Sequence, residues 1–201
     1  MITVGITGNL NSGKSETAKI FKRLGAEVFD ADVMARRAVE KGKPTYRALI
    51  KLFGKRFLTR DNQIDRKKLA RHVFHHPADL RKLNILIHPG VIVESLAVIE
   101  RFKKKKGILA MDVPLLFEAR MEKLADYTVV VRASKAKMIE RAARKGMTRS
   151  LARRILSMQW PIEKKARLAD FVVDNNGSPQ ALERRAKEVY AAIRKKAEAK
   201  V

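Results

Sequence analysis

Near the start of this 201-residue chain, Gly8-Asn9-Leu10-Asn11-Ser12-Gly13-Lys14-Ser15 fits G-x-x-x-x-G-K-[ST], the phosphate-cradling P-loop. Such a loop holds a polyphosphate largely by main chain, because successive N–H groups face one concavity and the next helix adds its positive dipole end. Gly8 and Gly13 let the backbone turn without a Cβ in the way. Lys14 is expected to reach the β- and γ-phosphates, and the Ser15 hydroxyl to ligate the accompanying Mg²⁺. The flanks agree. Residues 2–7 (ITVGIT) read as a buried strand, and Ser15 to Leu24 carries Ala18, Ile20, Phe21 and Leu24 at helical spacing before Gly25 stops it.

The composition, 46% hydrophobic and 33% charged, describes an ordered, water-soluble chain, and 201 residues suit one domain. With no cysteine, disulfides, thiolate metal sites and cysteine nucleophiles are excluded. The chain enters a strand directly after Met1, and no apolar run reads as a membrane span, so a cytoplasmic location is expected. A net charge of +24 favours anionic partners, beyond what two small phosphorylated ligands require. No aromatic-interleaved basic stripe accompanies it, so nucleic-acid binding stays a secondary reading.

Strand and helix signals alternate, which argues for a parallel sheet covered by helices, a three-layer α/β P-loop NTPase fold. Glu27 to Asp30 reads as a second strand; Gly107 to Asp112, Tyr127 to Val131 and Phe171 to Asp174 read as three more. Between residues 33 and 106 lies a helical stretch with predicted interruptions at Gly42-Lys43-Pro44, Gly54 to Gln63, His76-Pro77 and His88-Pro89-Gly90. Asp65 is expected to cap the helix that begins at Arg66. The single domain thus divides into a core (about 1–32 and 107–201), a helical substrate-binding insertion (about 33–106) and a helical lid (about 141–160).

Ligands of open parallel sheets sit beyond the carboxyl ends of the strands, which nominates Asp30, Asp32 and Asp112. Asp32 is either the N-cap of a helix or the carboxylate that receives a proton from an acceptor hydroxyl, and the nearby P-loop favours the second. Arg36, one turn on, can hold an anionic or ribose group. Asp112 stands where P-loop proteins keep an acid for Mg²⁺. Arg141 and Arg144 sit on a predicted helical hairpin and suit a lid that closes over ATP. Asn175-Asn176-Gly177 forms a turn on the nucleotide side. His72, His75, His76 and His88 show no companion set of metal-ligand spacings.

Together these positions resemble the dephospho-coenzyme A kinase family, from Thr3 to about Tyr190. The motifs are the P-loop, Phe29-Asp30-Ala31-Asp32 with Ala35-Arg36, Leu86-Ile87-His88-Pro89, Asp112-Val113-Pro114-Leu115-Leu116-Phe117-Glu118, Gln159 with Pro161, and Asp174 to Gly177. The resemblance implies a nucleoside-monophosphate-kinase-like core of five parallel strands and transfer of the ATP γ-phosphoryl group to the 3′-hydroxyl of dephospho-CoA. It assigns Asp32, Lys14, Arg141 and Arg144 to catalysis, and Asn9 to Glu16 with Asn175, Asn176 and Gly177 to ATP. Asp32, Arg36, His88, Pro89, Leu115, Leu116 and Phe117 would border dephospho-CoA, and Ser15 and Asp112 would hold Mg²⁺. A monomer or weak homo-oligomer is expected. Another small-molecule P-loop kinase and a basic nucleic-acid-binding ATPase are the competing readings. Asn9, Asn11, Glu16 and Trp160 depart from the family's pattern; Asn tolerates positive φ, while Glu16 adds negative charge beside a triphosphate.

Overall fold

The computed structural model describes residues 1–198. It divides into two compact units, one of residues 1–30 with the chain from Ile99 on, the other Ala31–Val98.

The first unit is built on five parallel strands, β1 (Ile2–Thr7), β2 (Glu27–Asp30), β3 (Ile108–Asp112), β4 (Tyr127–Arg132) and β5 (Phe171–Asp174), in the order β2-β3-β1-β4-β5. β1 is central, so the loop that leaves its carboxyl end emerges between the ends of β3 and β4. β1, β3 and β4 are almost wholly buried, which explains their unalternating apolar sequences. One face of the sheet packs against α1 (Lys14–Arg23) and the carboxyl-terminal helix Pro179–Glu198, where Phe21 meets Tyr190 edge to face at 5.2 Å.

Register at the amino ends of the strands is fixed by a repeated device. Asp126, just before β4, accepts from Thr3 N (2.7 Å) and Thr3 Oγ1 (2.8 Å). Asp170, just before β5, accepts likewise from Thr128 N (2.8 Å) and Thr128 Oγ1 (2.7 Å). Each aspartate N–H donates back to its threonine hydroxyl at 3.0 Å.

The second unit holds α2 (Ala31–Ala38), α3 (Pro44–Phe53), α4 (Arg66–Val73) and most of α5 (Pro77–Phe102) around Val39, Leu49, Phe53, Phe57, Leu69, Val73 and Leu83. Asp65 caps α4 by accepting from Lys68 N at 2.9 Å. One alternative and one expectation fail here. Asp32 is no N-cap: α2 starts one residue earlier and Asp32 lies in its first turn. And α5 does not break at His88-Pro89-Gly90 but runs through Pro89. Proline leaves the carbonyl of Ile85 without its helical donor, and that side of the helix is open, with Ile85 73% exposed, so water can serve the carbonyl. Gly90 admits close packing, since a Cβ there would stand 3.1 Å from Ala38 Cβ. Uninterrupted, α5 is long and apolar enough, by length and composition, to cross a membrane, which the reading that divides it at Pro89 misses.

Candidate active site

The loop between β1 and α1 adopts the conformation its glycines predict, with a further reason for them. Gly13 has φ 108° and Asn11 takes φ 54°, so asparagine serves where left-handed backbone is needed. A Cβ on Gly8 would lie 2.6 Å from the Val131 carbonyl, and one on Gly13 would lie 2.1 Å from Asn175 Nδ2. The crowding comes from the protein's own braces around the loop.

Those braces turn the loop's carbonyls outward. Arg141 Nη1 donates to the carbonyls of Asn11 and Ser12, both at 3.3 Å, and its Nη2 donates to the Asn175 carbonyl at 2.9 Å. Asn175 Nδ2 donates to the Ser12 carbonyl at 2.7 Å. In a trans peptide the C=O and the following N–H point opposite ways, so these contacts aim the Gly13 N–H inward. α1 begins at Lys14 with no side-chain cap, leaving its first-turn N–H groups available to an anion.

Asn11, Gly13, Lys14, Ser15, Arg141 and Asn175 line a cleft of about 370 Å³ that Glu16 and Gly177 also border. A larger hollow of about 930 Å³ lies at the amino ends of the strands, among Ile2, Ile108 and Tyr127. Ligands of parallel sheets bind at the opposite ends, so the smaller cleft is the candidate. Beside Lys14, Asp112 is 4% exposed. Burial pushes its carboxyl up, Lys14 and the Ser15 hydroxyl oppose that, and Asp30 reinforces it. Lys14 Nζ stands 3.7 Å from Asp112 Oδ1, an ion pair too long for a hydrogen bond, and Oδ1 has no hydrogen-bond donor. A buried carboxylate oxygen lacking a donor, next to a hydroxyl, is a donor set that fits Mg²⁺.

A second clamp holds the other half of the loop. Leu10 N donates to Gln159 Oε1 at 2.9 Å and Asn9 Nδ2 to the Trp160 carbonyl at 3.0 Å. Trp160 N donates to Glu118 Oε1 at 3.1 Å. Lys165, fully buried in α8 (Ile162–Leu168), pairs with Glu118 at 2.8 Å and donates to the Pro114 carbonyl at 3.3 Å. Burial lowers the Lys165 pKa while Glu118 supports its charge. Sequence reasoning singles out neither Lys165 nor Lys145, whose Nζ reaches Asn11 Oδ1 at 3.0 Å. The first had a signal, a lysine in an amphipathic stretch just past Gln159 and Pro161; the second had none.

The two arginines expected to serve together are placed differently. Both ride on α6 (Lys135–Arg144), but Arg144 is exposed and paired with Glu140, whereas Arg141 is fixed on the loop. The helix is held there, because Met138 packs with Leu156 of α7 (Arg149–Met158) and with Leu10. Of the turn after β5, Asn175 braces the P-loop, while Asn176 bonds Ser134 N and Asp174. Glu16 faces Lys19 at 3.3 Å, which offsets its charge. On the expected acceptor side, Leu116 has no exposure and fills the space over Gly5, and Phe117 is 6% exposed. These two are core side chains here, while Leu115 is half-buried. In the other unit, Asp32 and Arg36 are exposed one turn apart on α2, and His88 and Pro89 lie within α5.

Comparison with known proteins agrees along most of the chain. A family sequence model described as dephospho-CoA kinase matches residues 2–181. A dephospho-CoA kinase of Carboxydothermus hydrogenoformans is 41% identical over 178 residues, 87% of this chain and 86% of its own. One from Aquifex aeolicus is 37% identical over 193 residues, 96% of this chain and 98% of its own. A crystal structure from Thermus thermophilus is 34% identical with a TM-score of 0.76, covering 95% of this chain and 97% of that one. A shikimate kinase from Acinetobacter baumannii, 12% identical with a TM-score of 0.58 over 98% of this chain and 94% of that one, shares the fold alone.

Proposed function

The chain belongs to the dephospho-CoA kinase family, and on that premise we propose how its residues divide the work of moving a phosphoryl group from ATP to dephospho-CoA. The protein is a kinase of coenzyme A biosynthesis. Its phosphoryl donor is ATP.

Phosphoryl transfer leaves a protein little covalent chemistry to do, so catalysis is positioning and charge stabilisation. The inward N–H groups of the P-loop and the first turn of α1 hold the β- and γ-phosphates, and Lys14 follows the charge as it moves to the leaving oxygen. Ser15 and Asp112 are the residues that would hold Mg²⁺, which would supply positive charge against the negative charge developing on the phosphates. Arg141 keeps the loop's carbonyls turned away from the phosphates. Asp32 orients the ribose 3′-hydroxyl and receives its proton, and Arg36, His88, Pro89 and Leu115 border the acceptor. The absence of cysteine suits work in a reducing cytoplasm.

The observation that carries this reading is the braced P-loop itself, with its uncapped helix start opening into one cleft with Lys14 and Ser15. The test is a coupled assay with ATP, Mg²⁺ and dephospho-CoA, the product identified by mass. Asp32→Asn should lower kcat by about 10²–10⁴ with ATP affinity near the parent's. Normal turnover in that variant would remove Asp32 from the reaction.

A further inference from the structure

The α4–α5 corner brings three side chains together that the kinase reaction does not use. His72 lies in the last turn of α4, His76 in the link, and Asp79 in the first turn of α5. One ligand atom from each lies within 4.8 Å of the others. His72 Nε2 is 2.8 Å from Asp79 Oδ2. We propose that His72, His76 and Asp79 form a site for a zinc-class divalent ion, which clips the end of α4 to the start of α5.

The ring orientations support this independently of the spacing. His76 Nδ1 is 2.8 Å from the His72 carbonyl; a carbonyl can only accept, so Nδ1 carries the hydrogen and Nε2 keeps its lone pair. An imidazole whose other nitrogen donates to a backbone carbonyl is the outer-shell arrangement of metal-ligating histidines. The His72 ring is held between Phe57, with centroids 5.1 Å apart, and the His76 ring, stacked at 4.2 Å. Zinc bonds of about 2.0–2.1 Å in a tetrahedron need ligand atoms about 3.3 Å apart. His72 Nε2 and Asp79 Oδ2, at 2.8 Å, must part slightly, and the exposed His76 makes the rest of the adjustment. The proton between His72 Nε2 and Asp79 leaves to water as the ion enters.

Two imidazoles and one carboxylate select zinc, nickel or cobalt over magnesium and calcium, which want an oxygen cage. The neighbouring charge opposes binding, since Lys82 Nζ lies 3.6 Å from Asp79 Oδ1. It faces the other carboxylate oxygen, however, and its side chain is 58% exposed and able to withdraw.

The test is Zn²⁺ titration of the metal-free full chain against a chromophoric chelator, with Co²⁺ absorption as the coordination signature. The expected result is one Zn²⁺ per chain, weakened by at least about tenfold in His76→Ala and in Asp79→Asn. His75→Ala should keep the parent affinity, because His75 is not among the side chains whose ligand atoms converge here. Zn²⁺ should also raise the unfolding temperature of the parent and not of His76→Ala, whose exposed side chain leaves the metal-free fold intact. Parent affinity in either His76→Ala or Asp79→Asn, an equal loss in His75→Ala, or no uptake by the parent overturns the proposal.

Discussion

Lys165 Nζ sits 2.8 Å from Glu118 Oε1, and the lysine side chain has no exposed surface. The same carboxylate oxygen takes the Trp160 N–H, and the Trp160 carbonyl takes the Asn9 amide, so this ion pair underlies one wall of the P-loop. Losing one partner of a buried pair strands the other charge, at a cost of about 3–5 kcal/mol. Lys165→Met should therefore destabilise strongly. Adding Glu118→Gln removes the stranded charge while keeping an acceptor for Trp160 N, and should restore most of the loss. Urea unfolding of the single and double variants decides this; no recovery in the double variant would show that the pair does not act as a unit.

Arg141 ties together three carbonyls that belong to two loops. A lysine in its place keeps the charge but cannot reach them with one planar fork. Arg141→Lys should raise the Kd for ATP by about tenfold, the effect of losing one or two hydrogen bonds of ordinary strength. A residue acting only as a lid over the transition state would instead lower kcat at unchanged ATP affinity. Nucleotide titration beside steady-state kinetics separates the two.

The sheet and the P-loop were legible because their signals are local: continuous apolar runs for strands buried on both faces, and glycines where the loop is crowded. The braces were not legible. Arg141 and Asn11 are separated by 130 positions, and an arginine in a chain with 45 lysines and arginines carries no address. Leu116 and Phe117 are placed at the acceptor by the family resemblance alone, since nothing in an apolar pair separates a pocket wall from the core, where Leu116 packs over Gly5. The His72, His76 and Asp79 spacing follows the helical period, but it crosses the break at Pro77, which hides it from a reading element by element.

Asp126 and Asp170 secure the amino ends of the strands, opposite the cleft. Each is an exposed residue with hydrogen bonds to a buried threonine, so Asp126→Ala or Asp170→Ala should cost about 1–2 kcal/mol. Because the P-loop leaves the other end of β1, kcat at a temperature where the variants stay folded should match the parent's. Thermal unfolding paired with the kinase assay tests this. A drop in kcat without a drop in stability would contradict the separation of the two ends.

Asp112 makes the opposite exchange, stability given up for a charge the site needs. Burial raises its carboxyl pKa above the ordinary aspartate value of about 3.9, so the folded chain still holds a proton where the unfolded chain has lost it. In the window between those two values unfolding releases a proton, and the contribution of this group to stability falls as pH rises through it. Asparagine has nothing to titrate. The stability of Asp112→Asn relative to the parent, measured by urea unfolding without Mg²⁺ or nucleotide, should therefore increase from about pH 4 towards neutrality. The same variant should need at least about tenfold more Mg²⁺ for half-maximal activity. If the two stability curves run parallel across that range, burial is not penalising the Asp112 charge.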